Sequence, residues 1–292
     1  MAIARTLPLP APKPVEKILF AGESVAVCSF RCPPDDPLFA DSGPSNADAI
    51  VFPRNSVRVL REGGLDRVIS VNEVSFYRQG ESYRRRDVDG KGTICNWYVL
   101  APAVLREMLG LVDPVARDDE RPRFPAPIAP ADARSFAQQR RIVRHVEENG
   151  PVDALWVEES VLSAVGRVLA AAAAPANLHE PLPARQTELA EDAKLLLAAT
   201  ATENLPLAEL ARRLGTSEFH LARVFRRHTG ASLHQYRNQL RLRMSLERLL
   251  DGDADLATIA VDLGYSHHSH FTTRFRRAFG VTPSAFRNRR TT

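Results

Sequence analysis

The residues best suited to chemistry in this 292-residue chain are arginines in a pattern rather than a catalytic cluster. Two segments near the C-terminus, EFHLARVFRRH and SHFTTRFRRAF, carry Arg223, Arg226 and Arg227, then Arg274, Arg276 and Arg277. A guanidinium stays charged and presents a planar fork of donors, which fits phosphate oxygens and the guanine edge better than an ammonium does. From Arg185 onward there are 17 basic and 11 acidic residues, a net of +6, whereas the remainder has 22 against 24, a net of −2. The formal charge of +4 is therefore unevenly shared. An isolated arginine reads as solvated surface, but two matched runs read as the electrostatic footprint of a polyanion-binding face.

Other chemistries lack their residues. There is no nucleotide-binding glycine loop, no nucleophile elbow and no zinc-protease histidine pair. No histidine precedes His145, so a histidine-rich metal site cannot be built in the N-terminal part. His267, His268 and His270 invite a metal reading, but they open a helical segment where contact with a polyanion or plain exposure explains them. On a strand Cys28 and Cys32 would share a face about 13 Å apart, while Cys95 on another strand could approach either. Burial as small apolar side chains is the ordinary fate of such thiols, and a thiol sensor is the alternative. No catalytic site, metal or cofactor is expected, and the chain is not expected to be an enzyme.

The elements that carry the arginines are written twice. Leu210, Ala211, Leu214 and Gly215 recur as Ile259, Ala260, Leu263 and Gly264. Each copy has a short helix with apolar residues at helical spacing, a glycine for the tight turn, and a second helix pointing apolar residues back. Those residues are Leu221, Val224 and Phe225 in the first copy and Phe271 and Phe275 in the second, whose second helix begins one residue later. Ser217 is placed to cap the second helix of the first copy. After each copy comes a similar run, GASLHQYR and GVTPSAFR, with Ser232 and Thr282 as helix caps and Tyr236 and Phe286 as aromatic anchors. Ser232 to about Leu250 is free of breakers and reads as one linking helix, which at 1.5 Å per residue spans roughly 28 Å.

This double helix-turn-helix resembles the DNA-binding domain of AraC/XylS-type transcriptional regulators over about Gln186 to Arg290. The closing Gly280, Pro283, Phe286 and Arg287 belong to the match. The resemblance implies that the second helix of each copy enters the major groove of double-stranded DNA. DNA contacts then fall on Phe219, His220, Ala222, Arg223, Arg226 and Arg227 in the first copy. In the second they fall on His268, Ser269, Thr272, Thr273, Arg276 and Arg277. Thr273 stands where the family usually has arginine, with Arg274 one residue further round. Ala222 can touch a thymine methyl, and Arg223 can grip a guanine edge with both arms. RNA polymerase is a further partner that the resemblance suggests.

The rest of the chain points to an α+β multidomain protein. The N-terminal MAIARTLPLPAPKP has no apolar run long enough for a signal peptide, and no stretch of about 20 apolar residues occurs, so a cytoplasmic protein without membrane partner is expected. From about Lys17 to Pro102, short runs such as VAVCSF, EVSFY and TICNWYVL alternate with turns and read as antiparallel strands of a sandwich or small barrel. The segment looks like the cupin-like β-barrel that many AraC-type regulators use as an effector sensor. Tyr83, Arg84, Arg85 and Arg86 could bind an anionic effector or form a solvated strand edge. Trp97 and Tyr98 could floor a ligand pocket or simply pack in the core.

Pro114 to Pro130 reads as a coreless connector, followed by an antiparallel helical pair between about Ala133 and Ala173 that breaks at Asn149, Gly150 and Pro151. Apolar Val161, Val165 and Val168 beside Leu162 and Leu169 suggest a homodimer through this pair, with packing against the β domain of the same chain as the alternative. A linker and a helix with Leu189, Ala193, Leu196 and Leu197 inward then open the C-terminal domain. The domains expected are a cupin-like sensor over 1–130, the helical pair and linker over 131–184, and an all-α domain over 185–292. Its motifs lie at about 207–228 and 256–279. The function expected is sequence-specific transcriptional regulation under an effector-binding or dimerising β domain. The alternatives are a cupin-type enzyme fused to a DNA-binding domain and an architectural binder without effector.

Overall fold

The computed structural model describes residues 7, 9, 12–62, 64, 66–119, 123–148, 152–174, 182–251 and 254–288. They fall into two compact units, Met1–His179 and Glu180–Thr292. The expected break at Asn149, Gly150 and Pro151 and residues 175–181 of the expected linker lie outside the described residues.

In the first unit, alternating β-branched and aromatic residues form β1 (Glu16–Ala21), β2 (Val25–Cys32), β3 (Ala49–Pro53), β4 (Val57–Arg61), β5 (Asp66–Ile69), β6 (Glu73–Tyr77), β7 (Tyr83–Arg86), β8 (Thr93–Leu100) and β9 (Ile128–Pro130). All pairs are antiparallel. They build a six-stranded sheet ordered β1-β2-β8-β3-β6-β9 and a three-stranded sheet ordered β5-β4-β7. Among the described residues, pairing leaves two separate sheets in place of the closed cupin-like barrel that the family resemblance implies.

Alternation along the strands sorts the large sheet's side chains between two faces. Val25, Val27, Ile50, Phe52, Tyr98 and Leu100 enter one core, shared with helices α1 (Pro102–Val112), α2 (Ala133–Glu147) and α3 (Ala154–Ala173). Asp132 caps α2 by accepting from the Ser135 amide at 2.6 Å, and Asp153 caps α3 by accepting from Trp156 at 3.1 Å. The helical pair is present, but Val157, Val161, Val165, Val168 and Leu169 are buried in this core. The apolar excess that suggests a homodimer is thus covered within the unit.

Two segments read differently in three dimensions. Helix α1 was not expected from the sequence, and the supposed connector is no connector. It contributes a 3-10 turn at Pro114–Arg117 and the edge strand β9, whose Ala129 is buried. Phe124 stacks on Phe76 with ring centroids 4.9 Å apart. Pro114 opens the 3-10 turn, Pro130 lies in the edge strand, and Phe124, the one aromatic of the segment, supplies the core contact.

Tyr83–Arg86 is itself an edge strand. Arg84 and Arg86 are exposed, as an edge that discourages further pairing should be, but Arg85 is only 5% exposed. Its Nε donates to the Phe39 carbonyl at 2.9 Å and its Nη2 to that of Leu38 at 2.8 Å, while the guanidinium lies 4.4 Å over the Phe30 ring. Cys28, Cys32 and Cys95 are free and buried. Cys95 sits opposite Phe30, between the positions of Cys28 and Cys32 on β2.

The second unit is helical: α4 (Ala184–Ala199), α5 (Leu207–Arg213), α6 (Glu218–Thr229), α7 (Leu233–Asp251), α8 (Leu256–Asp262), α9 (His268–Phe279) and α10 (Pro283–Asn288). Helices α5 and α6 form the first motif, α8 and α9 the second, and α7 is the 19-residue link. On α4 the inward face differs from expectation. Ala193 and Leu197 are buried, but Leu189 and Leu196 are only half-buried, and Glu191 and Lys194 lie inside instead.

Gly215 and Gly264 both turn with positive φ, 63° and 77°. Nothing would meet a Cβ at Gly215, whereas at Gly264 it would strike the Thr202 carbonyl and the Arg241 guanidinium. Gly215→Ala should therefore cost about 1 to 2 kcal/mol for the left-handed backbone alone, and Gly264→Ala should cost clearly more. Urea unfolding of the two variants checks this, and equal losses would contradict it. Burial pushes the Cys28 and Cys95 thiols up to about 12 and also raises Cys32. At pH 8 all three should resist a thiol-specific disulfide reagent in the native protein and react only after unfolding. A fast-reacting thiol in the folded chain would show that these cores are open.

Candidate nucleic-acid interface

The outward helices owe their placement to caps and aromatic anchors. Ser217 accepts from the His220 amide at 3.3 Å to start α6, and Gly230 ends it in the left-handed conformation. Helix α9 starts one residue later relative to its turn glycine, has no side-chain cap, and ends on Gly280 in the same way. Ser232 and Gln235 form a reciprocal cap on α7, and Thr282 accepts from Ala285 at 3.2 Å on α10. Phe225 meets Tyr236 edge-on at 5.3 Å, and Phe275 meets Phe286 at 5.8 Å. The duplicated anchors thus make the same contact in both motifs.

Leu221, Val224 and Phe225 are the buried face of α6, and Phe271 and Phe275 that of α9. Behind α6, His228 Nε2 lies 2.7 Å from the Glu191 carboxylate, which also holds Lys194 at 3.5 Å. This polar cluster, nearly closed to solvent at Glu191 and Lys194, locks α4 to the first outward helix.

The expected contact residues lie on the opposite sides. On α6, Phe219 is 79% exposed, Arg223, Arg226 and Arg227 are exposed, and His220 and Ala222 are half-buried. On α9, His268, Ser269, Thr273, Arg276 and Arg277 are exposed and Thr272 is half-buried. Helical spacing gathers Phe219, Ala222, Arg223 and Arg226 on one stripe, with Ser269, Thr272, Thr273 and Arg276 on its counterpart. Arg227 and Arg277 flank the stripes.

The arginines differ in how free they are. On α5, Glu209 accepts from Arg212 at 2.8 Å and from Arg213 at 2.7 Å, and these donors hold its carboxyl down at about 2. By contrast, Arg223, Arg226, Arg227, Arg276 and Arg277 meet no carboxylate among the described residues. Arg223 only approaches His220 Nδ1, at 3.5 Å. Thr273 donates its hydroxyl to the Ser269 carbonyl of its own helix at 2.9 Å, which commits its one donor. Among the described residues, the outward helices thus carry cations without a carboxylate partner, and the arrangement can grip phosphates while offering Arg223 to a base edge.

Sequence reading missed Arg241. Its burial follows from a spacing that was visible: Arg237 and Arg241 stand four apart on α7, among the leucines that mark its apolar face. Arg241 donates to the carbonyls of Ala201 at 2.6 Å, Glu203 at 2.8 Å and Gly264 at 3.0 Å, and to Asn204 Oδ1 at 3.0 Å.

In the first unit, a partly open cavity lies between the two sheets, lined by apolar Val51, Val59 and Ile69, by Tyr77, Tyr83 and Trp97, and by Lys13, Glu16 and Arg85. Trp97 thus faces the cavity, while Tyr98 packs on the other side of its strand. Among the described residues no group of three or more His, Cys, Asp or Glu side chains could hold a metal ion, and no helix is long and apolar enough to cross a membrane.

Comparison with known proteins agrees with the geometry of the second unit. A family model described as "Helix-turn-helix domain" matches residues 210–289. The transcriptional activator RhaS of Pectobacterium carotovorum is 36% identical over 87 residues, covering 30% of this chain and 31% of RhaS. The regulatory protein SoxS of Salmonella typhimurium is 38% identical over 80 residues, covering 27% of this chain and 75% of SoxS. A crystal structure of an AraC-type transcriptional regulator from Chromobacterium violaceum is 26% identical, covers 38% of this chain and 98% of that one, and superposes with a TM-score of 0.35. Against RhaS the match spans less than a third of the relative's length. With three quarters of SoxS matched and the family model covering both motifs, this chain belongs to the AraC/XylS family of transcriptional regulators.

Proposed function

We propose that the chain is a sequence-specific, DNA-binding transcriptional regulator acting in the cytoplasm. The observation that carries this is the pair of outward helices, α6 and α9, whose arginines meet no carboxylate among the described residues and whose motifs are joined by one continuous helix. In this reading Phe219, Ala222 and Arg223 face bases in one major groove, and His268, Ser269, Thr272 and Thr273 face the next. His220, Arg226, Arg227, Arg276 and Arg277 hold the backbone. The link of roughly 28 Å suits outward helices set near the ~34 Å between successive major grooves on one side of B-DNA.

The first unit is the regulatory part. The cavity between its sheets supports an effector-binding role over a purely architectural binder, because it combines apolar and aromatic walls with a few convergent polar groups. It does not support a metal-dependent cupin enzyme, since the side chains around it include no histidine. A homodimer would have to use a surface other than the buried seam of α3.

Arg223→Ala should cost about 1 to 3 kcal/mol on the preferred DNA sequence and relax the choice of base, whereas Arg227→Ala should weaken all sequences alike. Binding of the unmodified chain should fall steeply with salt as counterions are released. Binding-site selection from a random pool with each variant checks both. Equal loss of base preference in the two variants, or salt-insensitive binding, would contradict this assignment of the helix faces.

A further inference from the structure

The start of α7, the loop before α5 and the second motif surround a partly open pocket. Its walls include Arg237 and Arg241, four apart on α7, with His234 one turn before, and His270 and Arg274, four apart on α9. Among the described residues no carboxylate lines it. Three guanidiniums around one space repel one another unless an anion enters.

The cations are not equally committed. Arg241 is spent on four acceptors of the protein, and Arg237 donates to the carbonyls of Leu205 at 2.8 Å and Glu203 at 3.4 Å. Arg274 makes only a 3.3 Å contact from Nε to His270 Nε2, which leaves its two terminal nitrogens for an occupant. Burial, with Arg237, Arg274, Arg241 and His270 nearby, lowers the pKa of His234, as a site short of negative charge requires. The internal repeat singles out the same residue. Arg274 occupies the position at which the first motif buries Val224, so packing of a helix-turn-helix does not ask for arginine there.

The pocket lies beside the second motif, where the start of α7 and the loop that leads into the first motif meet it. Two helices seated in successive major grooves on one side of B-DNA straddle a minor groove and the phosphate backbones that flank it. We propose that the pocket binds a phosphate oxyanion through Arg274, and that this phosphate is a backbone phosphodiester of the DNA between the two segments being read. The inference rests on the DNA-binding reading above and adds a contact that fixes register without reading bases.

The test uses the full chain, its Arg274→Val variant, and a duplex selected from a random pool by the unmodified protein. R274V installs the residue type of the first motif, and R274Q replaces it in every assay should R274V fail to melt cooperatively. The variant is expected to melt as the parent does, to prefer the same sequence, and to bind it roughly tenfold more weakly. The slope of log affinity against log salt should fall by about one. Neutral methylphosphonates are then placed one at a time between the two read segments. One position should weaken the parent about tenfold and leave the variant unchanged.

A folded variant with parental affinity and slope overturns the proposal, and so does a weakened variant that couples to no central phosphate. Stabilisation of the parent but not the variant by millimolar inorganic phosphate, with equal DNA affinity, assigns the pocket to free phosphate and overturns the DNA source. A parent that selects no sequence defeats the DNA-binding reading itself, a result distinct from either of these.

Discussion

One buried guanidinium ties the C-terminal unit together. Arg241, near the middle of α7, donates at once to the loop that leads into the first motif and to the turn of the second. Each acceptor is a backbone carbonyl or a side-chain amide, so the interaction is a set of charge-assisted hydrogen bonds that no lysine could reproduce with the same geometry. Gly264 has to be glycine for the same reason, because the left-handed turn passes against Arg241 and the Thr202 carbonyl. Short helices such as α5 and α8 cannot hold their orientation alone. Their angles are set by the rod between them and by the anchors on it, Arg241 foremost and Arg237 and Asn238 beside it.

The repeat was legible because every feature of it is local. Glycine turns, serine and threonine caps and apolar residues at helical spacing act within a few residues, and each reappears where the sequence places it. Ser232 and Thr282 make the expected cap bonds, and Tyr236 and Phe286 make matching aromatic contacts. Even the delayed start of α9 could be read by counting from Gly264. What the residues on these helices touch is a different matter, since their chemistry is complete only when a partner supplies phosphate and base edges.

The first unit was less legible because its decisive contacts are distant in sequence. Phe124 looks like part of a proline-rich connector until Phe76, on a strand some fifty residues earlier, is placed beneath it. Arg85 reads as one of three surface arginines, and only the loop carbonyls of Leu38 and Phe39 reveal why it is buried. The strand pattern identified most of the strands but could not say which would pair, so a closed barrel was inferred where two sheets form. The same blindness affected α4, where Glu191 and Lys194 turn inward because His228 of α6 waits to meet them.

The two motifs are alike in fold and unlike in what they present. Where the first offers Phe219, Ala222 and Arg223, the second offers Ser269, Thr272 and Thr273, one residue further from its turn. A symmetric pair of identical helices can be satisfied by a palindrome, which looks the same from either end. Two dissimilar helices on one rigid rod cannot. The sequence such a chain fits has a head and a tail, so a single copy bound to it points one way along the chromosome and turns DNA sequence into direction.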